Sequence, residues 1–214
     1  MVIEKDYEMT HDITPGVKGL IIDLDGTLID SMPFHYYCWK VACEKFDIHM
    51  SEKFLREYTG CPAWEIAEIM VKQNYLEGKV SADELAKLKM QLFHDIQCHI
   101  KPIEPVADIV KKYYGILPMA VGTGGHKSVV KDTLEITGLS KYFDIVITAN
   151  DITHFKPDPE TFMLCAKKMN VDPKQIEVFE DGELGLQAAR SAGMIATDVN
   201  GWYDSDWEKD IPID

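Results

Sequence analysis

From residue 105 onward, the chain alternates short apolar runs with segments whose apolar residues recur at helical spacing. The strand-like runs lie at residues 117–121, 143–148, 176–179 and 194–199, and an earlier run lies at 17–24. The helical segments lie at residues 127–137, 159–170 and 184–192. Strands that alternate with helices join through right-handed crossovers and pair in parallel. The pattern therefore predicts an α/β fold with an open, mostly parallel sheet.

A second feature is the long stretch between the first and second strand-like runs. This stretch contains no comparable strand, and its apolar residues recur at helical spacing. Ser81 followed by Glu84 forms a capping-box pattern ahead of one such run. We expect about four helices inserted after the first strand. The predicted organisation is a core domain of residues 1–30 and 100–214, with an inserted all-helical domain at residues 31–99.

Polar and glycine-rich motifs follow the strand-like runs in order. In open α/β sheets, ligands bind at the carboxyl ends of the strands, so these motifs are expected to meet at one edge. Each motif also has a purely structural interpretation as a turn, a helix cap or a rigid approach to a helix. Their joint placement on consecutive strand ends favours a functional role. The motifs are Asp23-Leu24-Asp25-Gly26-Thr27, Gly122-Thr123-Gly124-Gly125, Lys156-Pro157-Asp158-Pro159 and Glu180-Asp181-Gly182.

The acidic residues of these motifs indicate a divalent cation. Asp23 and Asp25 lie two residues apart, so their carboxylates can point the same way while the backbone is extended. With Glu180 and Asp181, up to four carboxylates share one crevice. Like charges ~4 Å apart repel by about 4 kcal/mol at an effective dielectric near 20, and a bound cation offsets this repulsion. Oxygen ligands alone favour Mg²⁺, so we expect Mg²⁺ as the cofactor and a phosphate group as its partner.

Composition argues against several other classes of protein. A net charge of −14 disfavours binding to nucleic acid, and no apolar run is long enough to span a membrane. The five cysteines contain no C-x-x-C pair, and the histidines show no metal-ligand spacing. Residues 1–16 lack the apolar stretch of a signal peptide. We expect a cytoplasmic protein that binds a small phosphorylated metabolite but neither nucleic acid nor membrane, and a monomer, with an oligomer left open.

Together the four motifs resemble those of the haloacid dehalogenase (HAD) superfamily. Asp23-Leu24-Asp25-Gly26-Thr27-Leu28 is similar to its first motif, Thr123 to its second, Lys156 to its third and Glu180-Asp181 to its fourth. Residues 178–194 resemble the β-phosphoglucomutase-like branch in particular. The resemblance extends over residues 17–200 and implies a Rossmann-like core in which the helical insertion is a cap domain.

The resemblance also implies a role for each motif residue. Asp23 is implied as the nucleophile that forms an aspartyl-phosphate, and Asp25 as the general acid and base. Mg²⁺ is implied at the carboxylates of Asp23 and Asp181 and at the backbone carbonyl of Asp25, with Glu180 as a ligand or its neighbour. The implied catalytic residues are Asp23, Asp25, Thr123 and Lys156. The implied phosphate-binding residues are Asp23, Leu24, Asp25, Thr123, Gly124 and Lys156. The cap residues expected to contact substrate are Ser31, His35, Tyr58 and Trp64.

Within this branch the sequence favours a phosphatase that acts on sugar phosphates. The mutases carry a lysine just before a cap glycine and an arginine three residues after it, whereas this chain has Thr59 and Ala63 around Gly60. Without those cations, rebinding of a sugar bisphosphate should be weaker, which favours hydrolysis. The string Gly60-Cys61-Pro62-Ala63-Trp64 also resembles bacterial phosphatases that act on fructose 1-phosphate and 6-phosphogluconate.

Two other functions stay open at this point. One is a phosphohexomutase of the β-phosphoglucomutase type, and the other is a phospho-aspartate signalling or binding module related to receiver domains. The helical insertion argues against the signalling module, because a lid excludes water and contacts the leaving group of a substrate. Asp25 argues against a true dehalogenase, because those enzymes lack the second aspartate.

Overall fold

The computed structural model describes residues 11–204, 206–209 and 211, so the parts of the expected core at 1–10, 205, 210 and 212–214 lie outside the described residues. Strands and helices alternate after a helical segment that follows the first strand. The strands are β1 (Gly19–Ile22), β2 (Met119–Gly122), β3 (Ile145–Ile147), β4 (Ile176–Glu180) and β5 (Ile195–Asp198). The helices are α1 (Met32–Lys45), α2 (Glu52–Glu57), α3 (Ala63–Gln73), α4 (Ala82–Ile96), α5 (Glu104–Tyr113), α6 (Lys127–Ile136), α7 (Glu160–Met169) and α8 (Glu183–Ser191).

The five strands form one parallel sheet in the order β3-β2-β1-β4-β5. β1 lies at the centre, where Leu20 pairs with Met119 of β2 on one side and with Glu177 of β4 on the other. Every residue of these three strands is buried, as expected for strands covered on both faces. The predicted open parallel sheet is confirmed, and the carboxyl ends of β2, β1 and β4 lie side by side.

Helices cover both faces of the sheet, because successive side chains of each strand point to opposite faces. One apolar cluster joins the sheet to α5 and α6, and a second joins it to α7 and α8. The first cluster includes Leu20, Ile22, Val110 and Leu134, and the second includes Ile21, Ala120, Phe162 and Ala188. None of the described helices is both long and apolar enough to cross a membrane.

Helix α5 is the element that the sequence pattern did not predict. Pro105 lies in the first turn of α5, where a missing N–H breaks no helical hydrogen bond. Val106, Ile109 and Val110 form its buried face. The other predicted strands and helices are present with slightly different ends, which is where sequence patterns are least informative.

Helices α1–α4 pack on one another around an apolar cluster of their own, which includes Trp39, Ala67 and Leu85. Ser81 accepts the N–H of Glu84 and so caps α4 as the sequence predicted. Two crossings of the chain connect this helical segment to the core. At these crossings the Asp30 N–H donates to the Lys101 carbonyl at 2.9 Å, and the Ile103 N–H donates to the Leu28 carbonyl at 2.9 Å.

Candidate active site

The carboxyl ends of β1 and β2 open into a pocket that helices α1, α3 and α4 cover. The pocket encloses about 820 Å³ of space that continues into solvent. Its core side includes Asp23, Asp25, Thr123, Gly124, Gly125 and His126. Its helical side includes His35, Tyr58, Thr59, Gly60, Cys61, Ala63, Trp64 and Lys89. The fold therefore brings together motif residues that are far apart in the chain, such as Asp23 and Gly125.

Asp23 and Lys156 form a buried ion pair beside this pocket. Lys156 Nζ lies 2.6 Å from Asp23 Oδ1 and 2.6 Å from Glu180 Oε2, and its side chain is only 1% exposed. Burial alone would lower the pKa of Lys156, but the two carboxylates raise it, so the ammonium stays charged. The other oxygen of Glu180 accepts the N–H groups of Asp181 and Gly182. Both oxygens of Glu180 are therefore held by donors from the protein.

Asp181 adds a third carboxylate to Asp23 and Glu180, and one ligand oxygen from each lies within 4.8 Å of the others. Asp181 Oδ1 accepts the hydroxyl of Thr27 at 2.9 Å. Asp181 Oδ2 faces Gly26, where a Cβ atom would collide with it. One ammonium does not balance three carboxylates, of which Asp23 and Glu180 are buried and Asp181 is half-buried. Burial, together with the charge of Glu180, therefore raises the pKa of Asp23 and raises that of Asp181 to about 8.

This arrangement fits a hard divalent cation. The donors are all oxygens, and a dication beside them would relieve the repulsion that raises the pKa of Asp23 and Asp181. Such ligands match the preference of Mg²⁺. The other candidate group among the described residues is His154, Asp158 and Glu160, which lies at the surface. Its members already bond to one another and to the backbone at the start of α7, so the buried group is the better metal site.

Asp23, Glu180 and Asp181, three of the four expected carboxylates, form this group. The Asp25 carboxylate instead binds Ser31, which precedes α1, and His35 of α1. Asp25 Oδ1 accepts the Ser31 hydroxyl at 2.6 Å and lies 3.0 Å from His35 Nε2. His35 Nδ1 lies 2.7 Å from Nζ of Lys89 on α4. With the ring proton on Nε2, His35 donates to Asp25 and accepts from the Lys89 ammonium. A continuous hydrogen-bonded chain thus runs from Lys89 to Asp25.

Burial and charge set the protonation of this chain. Burial lowers the pKa of His35, and the nearby Lys89 ammonium lowers it further. Burial also lowers the pKa of Lys89. For Asp25, burial alone would raise the pKa, but the contacts with His35 and Ser31 outweigh it and lower the pKa. The resting arrangement is therefore a neutral imidazole that holds an ionised Asp25.

The residues after β2 form a tight loop at the pocket wall. The Thr123 hydroxyl accepts the N–H of Gly125 at 3.0 Å, and Thr123 itself is buried. Gly124 faces the carbonyl of Gly60, and a Cβ atom at position 124 would collide with that carbonyl. Leu24 packs its side chain into the core, so only its backbone is available to a phosphate. This loop and the helical segment are in direct contact.

The expected substrate residues fall into two groups. Tyr58 and Trp64 line the pocket from the helical side. Trp64 stands edge-on to His126 and Phe155, with ring centres 6.3 and 5.9 Å apart. Ser31 is buried and contacts Asp25, as does His35, so these two side chains hold Asp25.

Lys89 lines the pocket and contacts His35, and the sequence motifs did not identify it. It lies on the buried face of α4 together with Leu85, Ala86 and Phe93, and its own exposure is 6%. A lysine at a position where helical spacing requires an apolar residue is the signal that could have identified it, because an unpaired buried ammonium is costly.

Comparison with known proteins agrees with this geometry. Residues 20–199 match the haloacid dehalogenase-like hydrolase family. Over 182 residues the chain is 38% identical to the fructose-1-phosphate phosphatase YqaB of Escherichia coli, a match that covers 85% of this chain and 95% of that protein. A hydrolase from Pseudomonas syringae superimposes with a TM-score of 0.77 at 21% identity over 89% of each chain. A β-phosphoglucomutase from Clostridium difficile superimposes with a TM-score of 0.73 at 25% identity, over 85% of this chain and 84% of that one.

A five-stranded parallel sheet with helices on both faces and a pocket at the carboxyl ends of its strands defines the class of Rossmann-like α/β proteins. Within that class the chain belongs to the haloacid dehalogenase-like hydrolases, and it is a phosphatase of that family. The family, the fold class and the enzyme class predicted from the sequence are confirmed.

Proposed function

We propose that this phosphatase hydrolyses sugar monophosphates and similar small metabolites, with Mg²⁺, through an aspartyl-phosphate at Asp23. The position of Asp23 carries the proposal. It follows the central strand, lies 2.6 Å from Lys156, and opens into the same pocket as Asp25. This position supports the proposal, because a two-step displacement requires a nucleophile and an acid–base group on one substrate site.

In the first step an oxygen of Asp23 attacks phosphorus, and the bond between phosphorus and the sugar oxygen breaks. The leaving oxygen takes a proton from Asp25, whose pKa rises when an anionic phosphate is bound beside it. In the second step Asp25 takes a proton from water, and the water oxygen attacks phosphorus. Asp23 returns as a carboxylate, and inorganic phosphate is released.

The carboxylates of Asp23 and Asp181 and the backbone carbonyl of Asp25 would hold Mg²⁺. When bound, the cation offsets the charge repulsion between the nucleophile and the phosphate. We assign Glu180 to holding Lys156, since both of its oxygens already accept bonds from the protein.

Groups other than the proposed metal ligands bind the phosphoryl oxygens of the substrate. The Lys156 ammonium, the Thr123 hydroxyl and backbone N–H groups at Leu24 and Gly124 balance the charge that develops on them.

We also propose that residues 31–99 act as a cap domain on a core of residues 1–30 and 100–214. The helical segment closes the pocket and supplies Lys89 and His35 to the chain that ends at Asp25. A cover of this kind excludes water from the reacting atoms, which a phospho-aspartate signalling module does not require.

The helical side of the pocket fits a substrate with a single phosphate. Thr59 and Ala63 line it without charge, and no arginine is among the described residues that line the pocket. Lys89 is engaged with His35 at 2.7 Å, which leaves it unsuited to hold a second phosphate. The E. coli relative is named for fructose 1-phosphate, so we expect a sugar monophosphate of similar size.

The second candidate is a phosphohexomutase, because a β-phosphoglucomutase shares the fold. A mutase must bind a sugar bisphosphate in two orientations, so it needs cations on both sides of the pocket. The experiment is to incubate the purified protein and Mg²⁺ with a panel of sugar monophosphates and to measure free phosphate and isomer formation together. Free phosphate without an isomer is expected. Isomer formation stimulated by a sugar bisphosphate would instead establish the mutase.

A further inference from the structure

After β5 the chain crosses from the core to the helical segment. We call residues 202–204 and 206–209 the strap. At its core end, Trp202 stacks on His11 with ring centres 3.8 Å apart and packs against the core cluster. At its other end, Trp207 is 4% exposed within the apolar cluster of the helical segment. The strap therefore has one aromatic anchor in each half of the molecule, half-buried at Trp202 and buried at Trp207.

The strap also binds the segment of the core that carries Asp25. The Tyr203 hydroxyl donates to the Gly26 carbonyl at 2.9 Å. Burial raises the pKa of Tyr203, so the hydroxyl keeps the proton that it donates. Lys209 Nζ lies 2.6 Å from Asp30 Oδ2, at the point where the chain leaves the core for α1.

The contacts of the strap with the helical segment involve two of its helices. The Arg56 guanidinium of α2 lies 3.8 Å from the ring centre of Trp207. The Tyr36 hydroxyl of α1 donates to Glu208 at 3.2 Å. Because the Trp207 side chain is buried and Glu208 is exposed, Trp207 supplies most of the attachment.

We propose that Tyr203 is a positioning residue for Asp25, and that the strap couples the packing of the helical segment to the conformation of the Asp25 loop. This inference rests on the proposed function, in which Asp25 is the acid and base. Gly26 has a φ of 82° and its N–H donates to the Ile29 carbonyl, so the turn depends on the orientation of the peptide at Gly26. Tyr203 holds the carbonyl of the next peptide, between Gly26 and Thr27, so the peptides on both sides of Gly26 are fixed.

Coupling between two contacts is reciprocal. If the Tyr203 bond and the Trp207 anchor belong to one coupled unit, loss of either one loosens the other by the same factor. If they are independent, their effects on the rate of hydrogen exchange multiply in the double variant.

The experiment is a double-mutant cycle on the full chain with Tyr203→Phe, Trp207→Phe and the double variant. Both replacements keep an aromatic ring, which limits unfolding, and Tyr142→Phe is the matched control because it removes a hydroxyl far from the site. Hydrogen exchange is measured at the amides of residues 26–30, with those of β1 as an internal reference. We expect Tyr203→Phe and Trp207→Phe each to accelerate exchange in the loop at least about threefold, and the double variant to fall well short of the product. The proposed coupling would be overturned if Trp207→Phe left hydrogen exchange at residues 26–30 unchanged. It would also be overturned if the effects of the two replacements multiplied in the double variant.

Kinetics separates positioning from a purely structural role. Tyr203→Phe should lower kcat several-fold for a sugar monophosphate and leave KM nearly unchanged, with a shifted pH profile, whereas Tyr142→Phe should change neither. An unaltered kcat would overturn the role of Tyr203. Hydrogen exchange requires no turnover, so an inactive protein with intact coupling would contradict only the proposed function.

Discussion

At the scale of single residues, the protonation of Asp25 depends on Lys89, which lies on α4. Lys89 places an ammonium 2.7 Å from one nitrogen of His35, and the other nitrogen lies 3.0 Å from Asp25. The ammonium keeps the imidazole neutral, so that it donates one hydrogen bond to Asp25 without adding a full positive charge. A protonated imidazole in its place would lower the pKa of Asp25 further and leave less of it in the protonated form that donates to the leaving group.

Replacing Lys89 with methionine tests this dependence. The pKa of His35 should rise once the ammonium is gone, and kcat should fall by roughly 10-fold or more, with the largest loss where His35 becomes protonated. The fold should persist, since methionine suits a buried helical face. Lys87→Met is the matched control, because Lys87 lies on the same helix, is exposed and pairs with Asp83. A pH–rate profile that is the same in Lys89→Met and Lys87→Met would contradict this role of Lys89.

Glu180 and Asp181 are adjacent carboxylates to which we assign different tasks. Asp181→Asn removes a metal ligand, so the Mg²⁺ concentration for half-maximal activity should rise about 10-fold or more. Glu180→Gln keeps an acceptor for the backbone but removes the charge that holds Lys156, so kcat should fall while the Mg²⁺ requirement changes little. Titration of activity with Mg²⁺ distinguishes the two variants. A rise in the Mg²⁺ requirement of Glu180→Gln as large as that of Asp181→Asn would make Glu180 a direct ligand.

At the scale of elements, the site is formed where the α2–α3 loop contacts the ends of the strands. Gly60 approaches Gly124 so closely that a Cβ atom at position 124 would meet the Gly60 carbonyl. Gly182 on the far side contacts Thr59 of the same loop. Two core loops therefore accept the helical segment through positions that have no side chain.

Gly124→Ala should keep the helical segment from closing on the core. We expect kcat/KM for a sugar monophosphate to fall by roughly 10-fold or more, with little change in Tm, because the added methyl group disturbs a contact between loops and leaves the core intact. Gly19→Ala is the control, since a Cβ atom at that position meets only ordinary van der Waals contacts. Retention of full kcat/KM in Gly124→Ala would show that this contact is dispensable.

The sequence predicted the elements that carry the motifs because strand ends are local signals. Asp23, Thr123 and Glu180 each follow a short buried run, and parallel pairing places such ends together. The partner of His35 could not be found in this way. Lys89 lies 54 positions further along the chain, and only the packing of α4 against α1 brings the two side chains together. Helix α5 was not predicted because its proline resembles a breaker unless the first turn is located.

At the scale of the whole molecule, excess negative charge at the metal site links stability to pH and to Mg²⁺. In the metal-free protein the pKa of Asp181 is raised by burial from an ordinary 3.8 to about 8. Between pH 3.8 and about pH 8 the folded protein binds more protons than the unfolded chain. The stabilisation that the bound proton provides is therefore fully present below the lower of these two pH values. It is lost as the pH rises through the higher value.

Thermal unfolding with and without Mg²⁺ tests this linkage. At about pH 5 the cation must displace protons from the site, whereas at about pH 9 it meets mostly ionised carboxylates. We therefore expect Mg²⁺ to raise Tm more at the higher pH, and we expect this difference to shrink in Asp181→Asn. An equal rise in Tm at both pH values would contradict the assigned charge state.

The tail beyond β5 is held by tertiary contacts that no local pattern in its sequence predicts. Trp202 and Trp207 pack against different apolar clusters. Their placement in different clusters could not be predicted, since no periodic pattern marks the residues between them. The hydrogen bond of Tyr203 to Gly26 spans 177 positions and depends on the complete fold.

The account rests on Asp23 as the residue that becomes phosphorylated, and trapping that species tests it most directly. An aryl phosphate has a good leaving group, so Asp25→Asn should still transfer the phosphoryl group but should release it slowly for lack of a base. Rapid acid quench followed by peptide mass spectrometry should then show a phosphoryl group on Asp23, and none in the Asp23→Asn, Asp25→Asn double variant. Phosphorylation of another residue, or aryl release by the double variant at the rate of Asp25→Asn, would contradict the account.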